Sequence, residues 1–288
     1  MQRRTLLKAM GGAACAASLP MIAQASNSLP LSAPIHVGAV GLKARDAEAL
    51  SAWYQWAVGL EELSREGSTI WLGVGGNRLL ALTQEEGLRL PNDRQSGLFH
   101  TAFLLPSRRD LANWIAMAIE QQLPVTGTAD HRVSEAIYLT DPEGNGVEIY
   151  ADTPEESWQW VAGEVQMGSF ALDVDGIMGT LGLLPPRWAG APVGTSVGHV
   201  HLKVGNATRA GNWWSDVLGF DAVSTRNDAV FLSTGGYHHH VAVNEWFSAR
   251  SGRRSDRDAG LDYVELVRRD GGEPLSYEDD WGTRIRFV

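Results

Sequence analysis

Residues 53–60, WYQWAVGL, return as residues 213–220, WWSDVLGF, at an offset of 160. The same offset relates residues 70–76, IWLGVGG, to residues 230–236, VFLSTGG. Self-similarity at a fixed period is the signature of a repeated folding unit. The chain is therefore predicted to contain two halves that open with the same unit.

The second copy of this unit predicts the order of its elements. Residues 198–204 alternate in apolar character, as a strand does, and residues 207–217 are expected to form a helix between Asn206 as cap and Gly219 as stop. Turn residues separate three further expected strands: 220–223, 229–233 and 239–244. The unit thus has the order β-α-β-β-β, and its first copy spans about residues 36–83.

Another unit of the same order follows the first copy. Residues 98–105 are expected to form its first strand, and Ser107 caps a helix over residues 108–122. Its last two strands flank the turn DPEGNG at residues 141–146. In the second half the matching unit would start at Gly260, which leaves only 29 residues to the end of the sequence. The fourth unit is therefore predicted to be truncated.

These units predict an α+β fold of four βαβββ modules, the fourth of them truncated. The expected division is an N-terminal domain at residues 30–152, a connector at residues 153–196 and a C-terminal domain at residues 197–288. Glycine, proline and short apolar runs dominate the connector. A connection of this length is unusual within a compact domain.

The first 25 residues are predicted to be an export signal. A positive start that includes Arg3-Arg4 precedes a short apolar run and a small-x-small site at residues 23–25. The run is too short to span a bilayer and is interrupted by glycine and proline. The arginine pair resembles twin-arginine signals, which export folded proteins, so a periplasmic or secreted location is expected. An ordinary signal for unfolded export remains the alternative.

Composition excludes several classes of partner and site. The sequence has 24 Lys and Arg against 34 Asp and Glu, a formal charge of −10, and no basic cluster that is large enough for a nucleic-acid partner. The single cysteine, Cys15, lies in the predicted signal, so the mature chain is expected to lack disulfides, thiolate metal sites and cysteine nucleophiles. No later stretch is long and apolar enough for stable membrane insertion.

Two histidines and one glutamate indicate a metal site. His100 and His199 each lie near the start of a unit's first strand, and Glu148 lies among apolar residues in a final strand. Taken singly, such residues are more often structural histidines or solvent-facing acids. Together they form the 2-His-1-carboxylate set of non-heme Fe(II) oxygenases, although Mn(II) and Zn(II) accept the same donors. His201 shares the strand face of His199, so spacing alone leaves the choice between them open.

The repeats and motifs resemble the vicinal oxygen chelate superfamily. Three motifs carry this resemblance: GHVHL at 198–202, VLGF at 217–220 and DPEGNGVEIY at 141–150. Two others are similar to the bacterial catechol 2,3-dioxygenase group within it: GGYHHH at 235–240 and SEAIYL at 134–139. The resemblance implies paired curved mixed sheets of the glyoxalase/extradiol dioxygenase type.

The resemblance also implies where the metal site lies. His100, Glu148 and His199 match ligand positions of the second and third units. The corresponding positions of the other two units carry no matching ligand: Ala39, Tyr263 and Arg286. The site would therefore be built by the second and third units, from both halves of the chain. The resemblance favours Fe(II).

Three more residues take roles from the resemblance. Tyr138 matches a tyrosine that binds the substrate, and His239 matches an acid/base histidine, with His240 as the alternative. His131 is expected to add a distal hydrogen bond. The implied function is extradiol cleavage by a non-heme iron oxidoreductase, with a small aromatic diol of the catechol type and O2 as substrates. A homo-oligomer could cover the half without ligands.

Two other functions stay open at this stage. One is a glyoxalase-like, metal-dependent isomerase or lyase, which usually has a second carboxylate ligand in the final strand of the third unit. Residues 241–244, VAVN, offer no such carboxylate. The other is a non-enzymatic ligand-binding protein on the same scaffold, in which replacement of His199 should leave ligand binding intact.

Overall fold

Two mixed β-sheets of seven and eight strands form the framework of the computed structural model, which describes residues 30–288. The predicted export signal lies outside the described residues and stays a prediction. In the part of the chain that is described, no helix has the length and apolar character needed to cross a membrane. The α+β class and the paired curved sheets expected from the sequence are confirmed.

The N-terminal part of the chain contains two modules of the order strand, helix, strand, strand, strand. The first comprises β1 (Ile35–Ala44), α1 (Ala47–Ala57), β2 (Glu61–Glu66), β3 (Thr69–Val74) and β4 (Asn77–Gln84). The second comprises β5 (Gly97–Leu104), α2 (Arg108–Glu120), β6 (Gly127–Asp130), β7 (Ser134–Thr140) and β8 (Gly146–Asp152).

The connector is ordered and carries four short elements: a 3-10 helix (Glu155–Ser157), β9 (Trp160–Val161), β10 (Glu164–Val165) and α3 (Val174–Gly179). The third module follows, with β11 (Ser196–Lys203), α4 (Ala207–Leu218), β12 (Asp221–Thr225), β13 (Ala229–Ser233) and β14 (Val241–Asn244). The last segment has strands but no helix: β15 (Gly260–Arg268), β16 (Leu275–Glu278) and β17 (Arg284–Phe287).

The ends of the helices follow from their capping residues. The Asn206 side chain accepts a hydrogen bond from the backbone N–H of Arg209 at the start of α4, and Gly219 ends that helix in the left-handed region at φ 77°. Ser107 caps α2 in the same way. By contrast, β14 begins two residues later than the predicted strand 239–244, because the bend after Gly235-Gly236, both at positive φ, continues through His240.

Each sheet combines strands from both halves of the sequence. The seven-stranded sheet has the order β16-β17-β15-β1-β4-β3-β2, and the eight-stranded sheet has the order β12-β13-β14-β11-β5-β8-β7-β6. The first module therefore pairs with the last segment, and the second module pairs with the third. In both sheets an antiparallel central pair, β1–β15 or β11–β5, is flanked by parallel neighbours. The domain boundaries drawn from the sequence stay predictions.

Candidate metal centre and substrate cavity

Three adjacent strands of the eight-stranded sheet carry the candidate ligands. Ala102 on β5 lies opposite His199 of β11 on one side and opposite Glu148 of β8 on the other. His100 precedes Ala102 by two residues, so its side chain extends from the same face of the sheet. Because Ala102 has only a methyl group, the three longer side chains can meet over it.

The structure brings these three side chains together. Nε2 of His100 lies 2.9 Å from Oε2 of Glu148, and Nε2 of His199 lies 3.3 Å from the same oxygen. One donor atom from each residue falls within a set whose members are all within 4.8 Å of one another. Ligand atoms about 2.0–2.2 Å from one divalent ion are about 3 Å apart when adjacent, so the spacing suits a single ion.

The electrostatics of the cluster also fit a cation. Burial lowers the pKa of His199 to about 4, so its ring is neutral near neutral pH and keeps a lone pair for a metal. Burial alone would raise the pKa of Glu148, but His199 and His100 outweigh it and hold that pKa well below its usual value. The cluster therefore presents one carboxylate and at least one neutral imidazole in a buried site.

A polar atom without a hydrogen bond supports the same conclusion. His100 Nε2 is buried and has no hydrogen-bond partner among the described residues, because Glu148 lies close to it but off the direction that a hydrogen bond requires. Leaving such a nitrogen unpaired is costly unless something binds it. The three donors thus fit a divalent metal ion that accepts two imidazoles and one carboxylate.

Tyr138 and His131 lie beside the ligand cluster. Tyr138 on β7 is paired directly with Glu148 on β8, and both line the same cavity. Burial and the Glu148 carboxylate raise the pKa of Tyr138 well above its ordinary value, so the phenol keeps its proton. Nδ1 of His131 donates to the Gly168 carbonyl at 2.5 Å, which leaves Nε2 to accept the Tyr138 hydroxyl at 2.6 Å.

The structure separates the three consecutive histidines. His239 lines the cavity, and its ring lies 4.1 Å from that of His199, centroid to centroid. His240, which the sequence left as the alternative acid/base histidine, is fully buried away from the cavity. Its Nδ1 contacts the Ser233 hydroxyl at 3.1 Å. His238 is also fully buried and lies behind His239. His239 is therefore the member of this group that can reach a molecule in the cavity.

His199 and His201 are separated as well. His201 is paired with His100 across β11–β5, and its ring lies 4.9 Å from that of His100, 5.0 Å from Trp246 and 5.3 Å from Phe99. It is nevertheless not among the three residues whose ligand atoms meet. Burial lowers the pKa of His201 well below its usual value. It therefore forms a neutral part of the cavity wall.

The cavity has a volume of about 380 Å³, and several residues that line it were not predicted from the sequence. The connector contributes residues 167–169. The other newly identified wall residues are three aromatic residues and one arginine: Phe99, Phe231, Trp246 and Arg226. The size suits a single aromatic ring with substituents. Tertiary packing alone brings these segments together, so no local sequence signal marks them.

The seven-stranded sheet repeats the register of the site without its ligands. Glu265 takes the position of Ala102 and is paired with Ala39 on one side and with Arg286 on the other. Ala39 therefore corresponds to His199, and Arg286 corresponds to Glu148. Tyr263 pairs with Gly41, and a methyl group on Gly41 would lie 2.2 Å from the Tyr263 ring. Within residues 30–288, three potential ligands meet only in the eight-stranded sheet.

Known proteins are similar to this chain in sequence, in fold or in both. The family described as the glyoxalase/bleomycin resistance protein/dioxygenase superfamily matches residues 36–149. A catechol-2,3-dioxygenase of Bacillus subtilis (strain 168) is 36% identical over 237 residues, which cover 81% of this chain and 82% of that protein. A biphenyl-2,3-diol 1,2-dioxygenase of Rhodococcus globerulus is 31% identical over 133 residues, 43% of this chain and 68% of that protein.

Solved structures show the same fold at low sequence identity. A proposed dioxygenase from Bacillus subtilis superimposes with a TM-score of 0.58 at 13% identity, over 88% of this chain and 84% of that one. Glyoxalase I from Zea mays superimposes with a TM-score of 0.52 at 14% identity, over 88% and 92% of the two chains. At these identities the likeness concerns the fold alone.

Proposed function

The chain belongs to the glyoxalase/bleomycin resistance protein/dioxygenase superfamily, and from that premise we propose that it is an extradiol dioxygenase that cleaves catechol-type rings at a 2-His-1-carboxylate Fe(II) site. The resemblance inferred from the sequence is thereby confirmed. The dioxygenase names of the two sequence relatives support the class of reaction. The observation that carries the proposal is the convergence of His100, Glu148 and His199 in the wall of a cavity that aromatic side chains also line.

The number of donors favours this chemistry. His100 and His199 would each bind the metal through Nε2, and Glu148 through Oε2. When bound, Fe(II) supplies open positions at which a diol and O2 can be held together. A second carboxylate would occupy one of these positions, as expected for the isomerase or lyase alternative. β14 provides none, since its four residues are Val, Ala, Val and Asn.

In this proposal, other cavity residues transfer protons and orient the substrate. Burial and neighbouring imidazoles lower the pKa of His239 well below the usual value, so the ring is neutral and carries a lone pair. We assign to this ring the role of accepting a proton from a diol hydroxyl and returning it later. The Tyr138 hydroxyl donates to His131, which leaves its oxygen free to accept a hydrogen bond from the substrate. Phe99, Phe231 and Trp246 supply apolar walls for the ring.

The reaction balances without a further reductant. One carbon–carbon bond next to the diol breaks, the bond between the two oxygen atoms of O2 breaks, and both atoms remain in the product. The product is a ring-opened hydroxy acid that carries an aldehyde or ketone, according to the substituent at the cleaved bond.

Anaerobic loading followed by a substrate screen tests this proposal. The protein is loaded with Fe(II), Mn(II) or Zn(II) in parallel, and each form is given substituted catechols under ¹⁸O2. We expect stoichiometric Fe(II) binding and a product that has gained two ¹⁸O atoms on cleavage next to the diol. Stoichiometric iron without ring opening would exclude the dioxygenase. Methylglyoxal–thiol adducts, offered to the same metal forms, test the isomerase alternative.

The cellular location is proposed separately from the reaction. The twin-arginine resemblance at Arg3-Arg4 supports export to the periplasm or beyond. Fractionation of cells that produce the wild type or a double Lys variant, Arg3→Lys with Arg4→Lys, tests it. Retention of the variant in the cytoplasm supports twin-arginine export, and equal export of both proteins contradicts it.

A further inference from the structure

A chain of three side chains extends away from the cavity behind His239. Nδ1 of His239 lies 2.8 Å from Nδ1 of His238, and Nε2 of His238 lies 2.9 Å from Oδ1 of Asp152. The two rings are buried, whereas the Asp152 side chain keeps 21% of its surface exposed at the end of β8. These bonds connect the cavity with a carboxylate that the mechanism above does not use.

The direction of the hydrogen bonds follows from the chemistry of the groups. A carboxylate can only accept, so Nε2 of His238 must carry the hydrogen in its bond to Asp152. In a neutral imidazole the other nitrogen is then a bare acceptor. Nδ1 of His238 therefore accepts, and Nδ1 of His239 must carry the hydrogen that it donates.

This polarity determines the reactive atom of His239. With the hydrogen on Nδ1, Nε2 is left with a free lone pair, and the hydrogen bond found for this ring among the described residues is the one at Nδ1. His239 lines the cavity next to His199. A lone pair facing the cavity is what a base needs in order to accept the proton of a bound diol.

We propose that Asp152 and His238 are positioning residues that hold His239 in its Nδ1–H tautomer, with the Nε2 lone pair directed to the substrate. The catalytic consequence rests on the proposed dioxygenase function, but the tautomer does not depend on it. The opposite arrangement would require a positively charged His238. Asp152 would be the counter-ion of that charge, but the charged ring would lie 6.1 Å from the ring of the candidate ligand His199, where it would oppose a divalent ion.

The surrounding residues hold this carboxylate in place. Tyr237 donates its hydroxyl to the same Oδ1 of Asp152 at 3.3 Å, and the hydroxyls of Tyr237 and Tyr150 lie 2.8 Å apart. The Tyr237 ring also packs against that of His238, 4.0 Å away from centroid to centroid. Tyr237 thus shares the acceptor with His238 but takes no part in the bond to His239, which makes it a matched control.

NMR of the imidazole nitrogens tests the inference directly. Protein labelled with ¹⁵N-histidine is studied metal-free and with Zn(II), a diamagnetic probe, and His239 is assigned by its loss in His239→Asn. Multiple-bond ¹H–¹⁵N correlations distinguish the two neutral tautomers and the imidazolium. We expect His239 with hydrogen on Nδ1 and His238 with hydrogen on Nε2. Hydrogen on Nε2 of His239, or a charged His238, in the wild type would overturn the inference without any variant.

Variants then test the cause. Asp152→Ala removes the acceptor, so His238 can turn its hydrogen toward His239, and the Nε2–H tautomer of His239 should become the major form. Tyr237→Phe keeps Asp152 and should leave the wild-type tautomer. A wild-type tautomer in folded Asp152→Ala would show that Asp152 does not set it. His238→Phe, which removes the intermediate ring, provides a second variant with the same expectation of a changed His239 signal.

Kinetics separate this inference from the proposed function. In the Fe(II) enzyme, Asp152→Ala should lower kcat for catechol about 10- to 100-fold, the range by which the loss of an outer hydrogen-bond partner lowers activity at metal sites. KM should change less than about twofold, because the lost interaction concerns proton transfer rather than binding. If the wild type opens no catechol ring, the proposed function fails and the NMR result still decides the tautomer. If kcat is unchanged while the tautomer has switched, the inferred role in catalysis fails.

Discussion

The Tyr138 hydroxyl lies 2.6 Å from Nε2 of His131, and the other nitrogen of that ring is bound to the carbonyl of Gly168. The connector therefore determines the direction of the tyrosine hydrogen, because Gly168 accepts from Nδ1 and leaves Nε2 as an acceptor. The phenol oxygen can therefore accept a further hydrogen bond in the cavity, as the proposed role of Tyr138 in substrate binding requires.

Removal of the hydroxyl tests this role. Tyr138→Phe should lower kcat/KM for catechol about tenfold, the equivalent of about 1.4 kcal/mol for one lost hydrogen bond in a buried site. Fe(II) content should stay at one per chain, because Tyr138 is not among the candidate ligands. Oxygen uptake and metal analysis provide the two measurements. Unchanged kcat/KM would show that the substrate does not contact this hydroxyl.

The two histidines that share a face of β11 should differ in their effect on the metal. His199→Ala should weaken Fe(II) binding by more than about 100-fold, since a ligand matters at least as much as its outer partners. His201→Ala should keep wild-type affinity, because His201 packs against Phe99 and Trp246. Anaerobic titration with a competing chelator measures both. Equal losses would place His201 in the metal site.

The small side chain of Ala102 should be essential for the converging ligands. Ala102→Val adds two methyl groups between His199 and Glu148, so we expect at least about tenfold weaker metal binding and a loss of about 1–3 kcal/mol in the free energy of unfolding. Ala102→Ser, which is close in size, provides the control for the site. Chelator competition and urea unfolding distinguish the two effects. Tight binding by folded Ala102→Val would contradict this account of the site.

Acid should destabilise the metal-free protein through buried histidines, and His240 provides a test away from the metal ligands. Burial lowers the pKa of His240 from 6.5 to about 3. Below pH 6.5 this residue therefore binds a proton in the unfolded chain, whereas the ring stays neutral in the native protein. Stability is thus lost as pH falls from about 6.5 toward about 3, by about 2 kcal/mol at pH 5.

The matched variant is His240→Gln, which can keep donor and acceptor groups without titrating in this range. The free energy of unfolding in urea, measured at pH 5 and pH 8, should fall less for His240→Gln than for the wild type. Equal pH dependence in the two proteins would show that His240 is protonated in the native state as readily as in the unfolded one.

Local patterns were sufficient for most of the architecture. The offset of 160 predicted a repeated unit, and alternation and turn residues predicted the order of elements in the third module. Asn206 and Gly219 placed the ends of α4 to within one residue. Caps and turns depend on interactions among a few neighbouring residues, so they can be recognised in the sequence. The expected placement of His100, Glu148 and His199 also agrees with the structure, because repeated modules put equivalent positions on equivalent strands.

By itself, then, the sequence determined the class of fold, the module order and the three candidate ligands. Only the tertiary structure shows which neighbours each ring on this strand face meets: alternation puts His199 and His201 on one face, the family resemblance favours His199, and the structure brings His199 rather than His201 to Glu148. The same holds for the bond from Asp152 to His238, which joins residues 86 apart in the chain. Strand register and the path of the connector create such contacts, and neither leaves a local pattern in the amino-acid sequence.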